Sequence, residues 1–98
     1  MIENFIQTNI KSSTKEEALD ITAKEKNKVI SELNAMGCDI LHSEQKPTLL
    51  NNEGLALWNY YHDLDWMENL LNGNSIVYVD KIDLHNKLKD VLVANNLI

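Results

Sequence analysis

Between Asn52 and Asn72 the chain reads NEGLALWNYYHDLDWMENLLN, and Leu57, Tyr60, Leu64, Met67 and Leu71 recur there at 3-4-3-4 spacing. With about 3.6 residues to a turn, this spacing stacks the five side chains on one stripe, the signature of a helix face that needs a core. Trp66 and Leu70 fall opposite the stripe, and Trp58 and His62 lie on the shoulder between, so the same helix has a second apolar surface to cover. Asn51 or Asn52 supplies an N-cap, and Gly73, between Asn72 and Asn74, supplies a stop.

The other elements follow from the same pattern. Ile2, Phe5, Ile6 and Ile10 are spaced for a short amphipathic helix over 2–10, with a strand as the alternative. Ser12, Ser13 and Thr14 are cap candidates, and Thr14 with Glu17 fits a capping box. A long helix is predicted from there to about Met36, burying Leu19, Ala23, Val29, Ile30, Leu33 and Met36. Its solvated face is Lys24, Glu25, Lys28 and Glu32, with Lys28 in pairing reach of both glutamates. Gly37 is placed to end it in a left-handed conformation, with Cys38 packing back on Leu33.

Cys38, Ile40 and His42 alternate as in a short strand, and a polar loop through Pro47 follows. Ser75 to Val79, SIVYV, is the strongest strand signal in the chain, a β-branched and aromatic run bounded by turn residues. Asp80 or Asp83 is expected to cap a last helix to about Asn95 with the face Leu84, Leu88, Val91 and Leu92. Leu97 and Ile98 then tuck in or fray. If the two strands pair, the helix between them makes them parallel, and two parallel strands alone are a weak sheet. The expected fold is therefore mainly α, a small helical bundle of about four helices with a minor two-stranded β element, α+β being the alternative. At 98 residues the chain is one domain.

Composition adds little to this, but charge placement adds a good deal. All nine cations are lysines. The absence of arginine, whose forked donor suits phosphates, argues against direct nucleic-acid binding. The net charge is −6, and from Pro47 to Asp80 there is no positive side chain at all. Acids and both tryptophans are thus concentrated on the central helix. One cysteine cannot form an intramolecular disulfide, and the start MIENFIQTNI has neither a basic n-region nor a long apolar run, so a cytoplasmic location is expected. No run is long enough to span a membrane.

His62, Asp63 and Asp65 form the only dense cluster of ionisable groups, and His62 with Asp65 at i, i+3 could ligate a metal, but no third metal ligand, paired cysteines, phosphate loop or nucleophile elbow accompanies them. No cofactor or metal is expected, and an enzyme is the minority reading. His42 and His85 are isolated and expected to be surface or satisfied structural groups. Tryptophan ringed by acids is instead the composition of a hot spot facing a basic protein. The sequence thus points to a small acidic neutraliser, an immunity protein, antitoxin or inhibitor, of a basic partner such as a nuclease. Its contact residues would be Trp58, His62, Asp63, Asp65, Trp66, Glu68 and Asn69. The alternative is a homodimeric regulatory or scaffold module in which Trp66 and Leu70 meet their symmetry mates.

Overall fold

The computed structural model describes residues 1–11, 13–40 and 51–98, and within them the chain is helical, with no strand. The predicted central helix, α3, spans Asn52–Leu71. Its first turn is closed by Asn51, whose Oδ1 accepts from the Gly54 N–H at 2.8 Å. All five stripe residues are buried, with Leu64, Met67 and Leu71 fully so. They face the long helix α2, Lys15–Ala35, and these two helices form the main packed pair of the molecule.

At its start, α2 has Thr14 as N-cap: its Oγ1 accepts from the Glu17 N–H at 3.2 Å while its hydroxyl donates to the Glu17 carboxylate. The box therefore closes through the two side chains. The buried line on α2 is Ala18, Thr22, Val29 and Leu33, rotated from the expected one: Leu19 and Ile30 are half-buried and Met36 is exposed. Thr22 tolerates full burial because its hydroxyl donates to the Ala18 carbonyl one turn back, at 2.6 Å. Small Ala18 and Thr22 admit the bulky residues of neighbouring elements, which is why the line runs through them.

Three helices end with the same device. Gly37, at φ +84°, follows α2, its N–H bonding Asn34 O while the Cys38 N–H reaches Leu33 O. After α3, Gly73 and Asn74 repeat it on Leu70 and Asn69. At the end of α4, Ile82–Ala94, Asn96 takes the left-handed position at φ +60° and the Leu97 N–H bonds Leu92 O. Each double bond satisfies carbonyls that a helix end would leave open, and the residue after the left-handed one folds back on the last apolar turn. Cys38 over Leu33 and Leu97 over Leu92 are both buried pairs of this kind, so the C-terminus tucks in through Leu97.

The N-terminal segment is helical, as its spacing indicates: α1, Ile2–Phe5, runs on as a π-turn over Ile6–Ile10. Four residues overshoot an α-turn and fall short of a wider π-turn. The two drifts oppose one another, and Ile2, Ile6 and Ile10 all end up buried. Phe5 meets Tyr60 of α3 edge-on at 6.2 Å.

The minor β element is not formed among the described residues. Ser75 to Tyr78 runs without turn or bend and without a partner strand, and Val79–Lys81 tightens into a 3-10 turn leading to α4. Its would-be partner begins at Cys38–Ile40, which is not strand, and continues at 41–42, outside the described residues. His42, Lys46 and Pro47 also lie outside them. A β-branched run has no sheet to join if nothing lies beside it, and here α3 and α4 flank the segment instead. Nor does Asp80 or Asp83 cap α4: Lys81 holds that position without a side-chain cap, and Asp83 sits in the first turn.

Candidate functional site

The seven residues expected to meet a partner all lie on α3, and the structure divides them among three environments. Toward α2, Asp65 and Glu68 both accept from Lys26 Nζ, at 2.9 and 3.1 Å. Lys26 stands in line with Thr22 and Val29, so its stem is buried and its ammonium emerges at the helix seam, also 5.4 Å from the Tyr61 ring centre. Burial alone would lower the lysine pKa, but bonds to Asp65 and Glu68 and their charge carry it above the ordinary value. One turn nearer the N-terminus of α3, the Tyr60 hydroxyl donates to Glu25 Oε2 at 2.6 Å, and burial with that carboxylate pushes the phenol far above its usual range. Glu25 is therefore occupied by Tyr60, and no Lys28 pair with Glu25 or Glu32 forms among the described residues; the exposed pair is Lys24 with Asp20.

Toward α4, Asp63 is not a surface acid. It is 6% exposed, and its Oδ1 takes hydrogen bonds from Lys81 Nζ and from His85 Nε2, each at 3.0 Å. Lys81 also donates to the Asn59 carbonyl at 3.3 Å. His85 is 5% exposed and lies flat on Trp66, ring centres 4.1 Å apart and planes 12° from parallel. Its Nδ1 is buried without a partner. Nε2 is the donor of the bond to Asp63, because the carboxylate oxygen only accepts. Trp66 itself is 3% exposed. The second apolar surface of α3 is thus covered within the chain, by His85 and the Tyr78 segment, and Trp66 cannot be a hot spot open to solvent. Asn69 is half-buried and donates to the Asp65 carbonyl one turn back, at 2.8 Å.

Only the shoulder remains open. Trp58 and His62 are half-buried, 4.3 Å between ring centres and steeply inclined, with Tyr78 beyond His62 at 6.4 Å. Asn59, Asp80 and Lys81 complete a cleft of about 230 Å³. Burial and the Lys81 charge lower the His62 pKa from its ordinary value, against the opposing pull of Asp65 and Asp63, which favours the uncharged ring. In the segment that contributes Tyr78, Asp80 and Lys81 to the cleft, Val77 is 66% exposed, Val79 84% and Ile82 47%. Asp80 and Asp83 are exposed among them.

Sequence reasoning missed Lys26, Lys81, Tyr78 and the partners of His85, which it marks only as a surface or satisfied structural group and which is buried against Asp63 and Trp66. A signal existed for two: Lys26 lies four residues after Thr22 and three before Val29, and His85 three before Leu88, so both are polar residues at stripe positions. Their partners lie 39 and 22 residues away, and spacing along one helix cannot reveal that. No group of three metal-binding side chains assembles among the described residues, and no helix there is long and apolar enough to cross a membrane. Compared with known proteins, the chain matches no family model, no curated protein and no solved structure.

Proposed function

We propose that this chain is a protein-binding protein that neutralises a basic partner, as an immunity protein, antitoxin or inhibitor of a nuclease would, and that the contact face is the segment over residues 77–83 with the Trp58 shoulder. The observation that carries this is the coincidence of exposed Val77, Val79 and Ile82 with exposed Asp80 and Asp83 in a chain of net charge −6. Scattered apolar residues on a surface need no explanation, but several on one short segment, with acids interleaved, have the make-up of an apolar contact with a charged rim. The central acids contribute less than their number suggests. Lys81 cancels Asp63, and Lys26 leaves one net charge between Asp65 and Glu68.

The test is to cross-link the chain to its partner in the source cell, identify that partner and measure binding kinetics at about 0.05 and 0.5 M salt, where the Debye length falls from roughly 14 to 4 Å. Association should slow severalfold at high salt, and lose most of that dependence in Asp80→Asn/Asp83→Asn. Val79→Ser should raise the dissociation rate. An acidic partner, or salt-indifferent association, would overturn the reading; sedimentation of the free chain as a dimer blocked by Val79→Asp would replace it with the homodimeric module.

A further inference from the structure

We propose that the cleft between Trp58, His62 and Tyr78 is a receptor for a single basic side chain, lysine or arginine, presented by the partner. The inference rests on the basic-partner reading above and assigns the point at which that partner is gripped.

Three features of the cleft select a cation. Its lining includes the rings of Trp58, His62 and Tyr78: Trp58 packs on His62 with ring centres 4.3 Å apart and planes inclined at 66°, and Tyr78 stands 6.4 Å beyond His62, so a group entering the cleft meets the outside of an aromatic cluster. Cations are attracted to such faces within about 6 Å of a ring centre, most strongly by tryptophan. Burial and the Lys81 charge favour the uncharged form of the His62 ring, which lessens repulsion of an entering cation. At the rim, Asp80 is exposed and makes no hydrogen bond or ion pair, so its carboxylate is available to a guanidinium or ammonium. Among the residues that line the cleft the opposing charge is that of Lys81, and it is held to Asp63 and the Asn59 carbonyl. The local balance of Lys81, Asp63 and Asp80 is one negative charge.

Size and precedent agree. A volume near 230 Å³ is below that of pockets for drug-sized ligands and matches one long side chain. On the neighbouring side of α3, where Tyr61 lies 5.4 Å from His62, the molecule already holds one ammonium this way, Lys26 lying over Tyr61 with Asp65 as its counter-ion. The cleft repeats that combination of ring and carboxylate with the cation left out of the chain.

The probes are Nα-acetyl-arginine amide and Nα-acetyl-lysine amide, with Nα-acetyl-norleucine amide as the uncharged control of similar shape. Each is titrated into isotope-labelled protein, with the Trp58 indole N–H and the His62 ring signals followed by NMR. Both basic amides should produce saturable shifts centred on Trp58, His62 and Tyr78. Norleucine amide should bind about tenfold more weakly, and Asp80→Asn should weaken the basic amides about fivefold, the scale of one cation–π or one rim charge contact. Trp58→Leu should abolish saturation while helical circular dichroism is retained; should that variant unfold, Trp58→Phe with a reduced shift amplitude serves instead. Equal binding of norleucine amide would overturn the proposal, showing an apolar slot, and so would shifts that spread over the acidic surface without saturating. The two readings fail separately: a partner whose association is salt-dependent but whose affinity ignores Trp58→Leu would leave the basic-partner reading standing and remove the cleft from it.

Discussion

The two edges of α3 show how differently one helix can treat similar residues. Along the α2 edge, Asp65 and Glu68 share Lys26, Tyr60 binds Glu25, and the apolar stripe is fully covered. Along the Tyr78–Asp83 edge, Asp63 is bonded to both Lys81 and His85, yet Val79, Asp80 and Asp83, on either side of Lys81 in the chain, are exposed. Burial at the first edge is a matter of stability. At the second, stability is secured by two anchors, Lys81 and Tyr78, and the residues between and beyond them are left for other uses. A segment held at fixed points presents its free side chains with less ordering cost on binding than a loose loop would.

This contrast can be broken at the seam most severely. Leu64→Ala removes a fully buried side chain and should destabilise the fold by about 2–5 kcal/mol in denaturant unfolding, a large part of a small domain's total. A loss below about 1 kcal/mol would place Leu64 outside the core. Lys26→Met should cost less, about 1–2 kcal/mol, because the pair it breaks is partly solvated and the two carboxylates left behind repel. Glu68→Gln in that background should restore part of the loss, whereas Glu68→Gln alone should not stabilise.

The pH dependence of stability separates the edges more finely. His62 has a folded-state pKa below its unfolded value, so the unfolded chain binds the proton more readily between the two. Its contribution is fully present above the ordinary histidine pKa of about 6.5 and is lost as pH falls toward the folded value. Melting curves from pH 8 down to pH 5 should therefore fall less steeply in His62→Gln than in the wild type; parallel curves would mean that His62 is as solvated folded as unfolded. The smallest effect is expected at the open edge, where Val79→Thr should change stability by no more than about 0.5 kcal/mol. A larger loss would show that Val79 is covered.

The helices were legible in the sequence because each carries its own evidence: the α3 stripe, the Thr14–Glu17 start, and the glycines after α2 and α3 are all local signals. What spacing could not give was the rotation of α2, since Ala18 and Thr22 look unremarkable beside Leu19 and Ile30 until a neighbour's bulk selects the smaller pair. The SIVYV run misled for a related reason. Its residues suit a strand, but a strand exists only by pairing, and whether a partner lies alongside is a tertiary fact. At the candidate site the sequence overestimated the free acids of α3 and the exposure of Trp66. Lysines supplied from α2 and from the turn before α4 neutralise a window that looks cation-free along the chain and is not so in space. Trp58 and His62, expected on the shoulder, are where the pattern put them.

Cys38 has a use that follows from its position. Its thiol is 4% exposed, and burial, with Asp39 nearby, raises its pKa, so the reactive thiolate is scarce and shielded while the end of α2 stays closed on Leu33. Alkylation of this single thiol must then wait for the helix end to open, and its rate under native conditions is a clock for local unfolding at that junction. The natural chain thus carries its own reporter, readable by mass spectrometry without any added label, of how often the α2 terminus lets go.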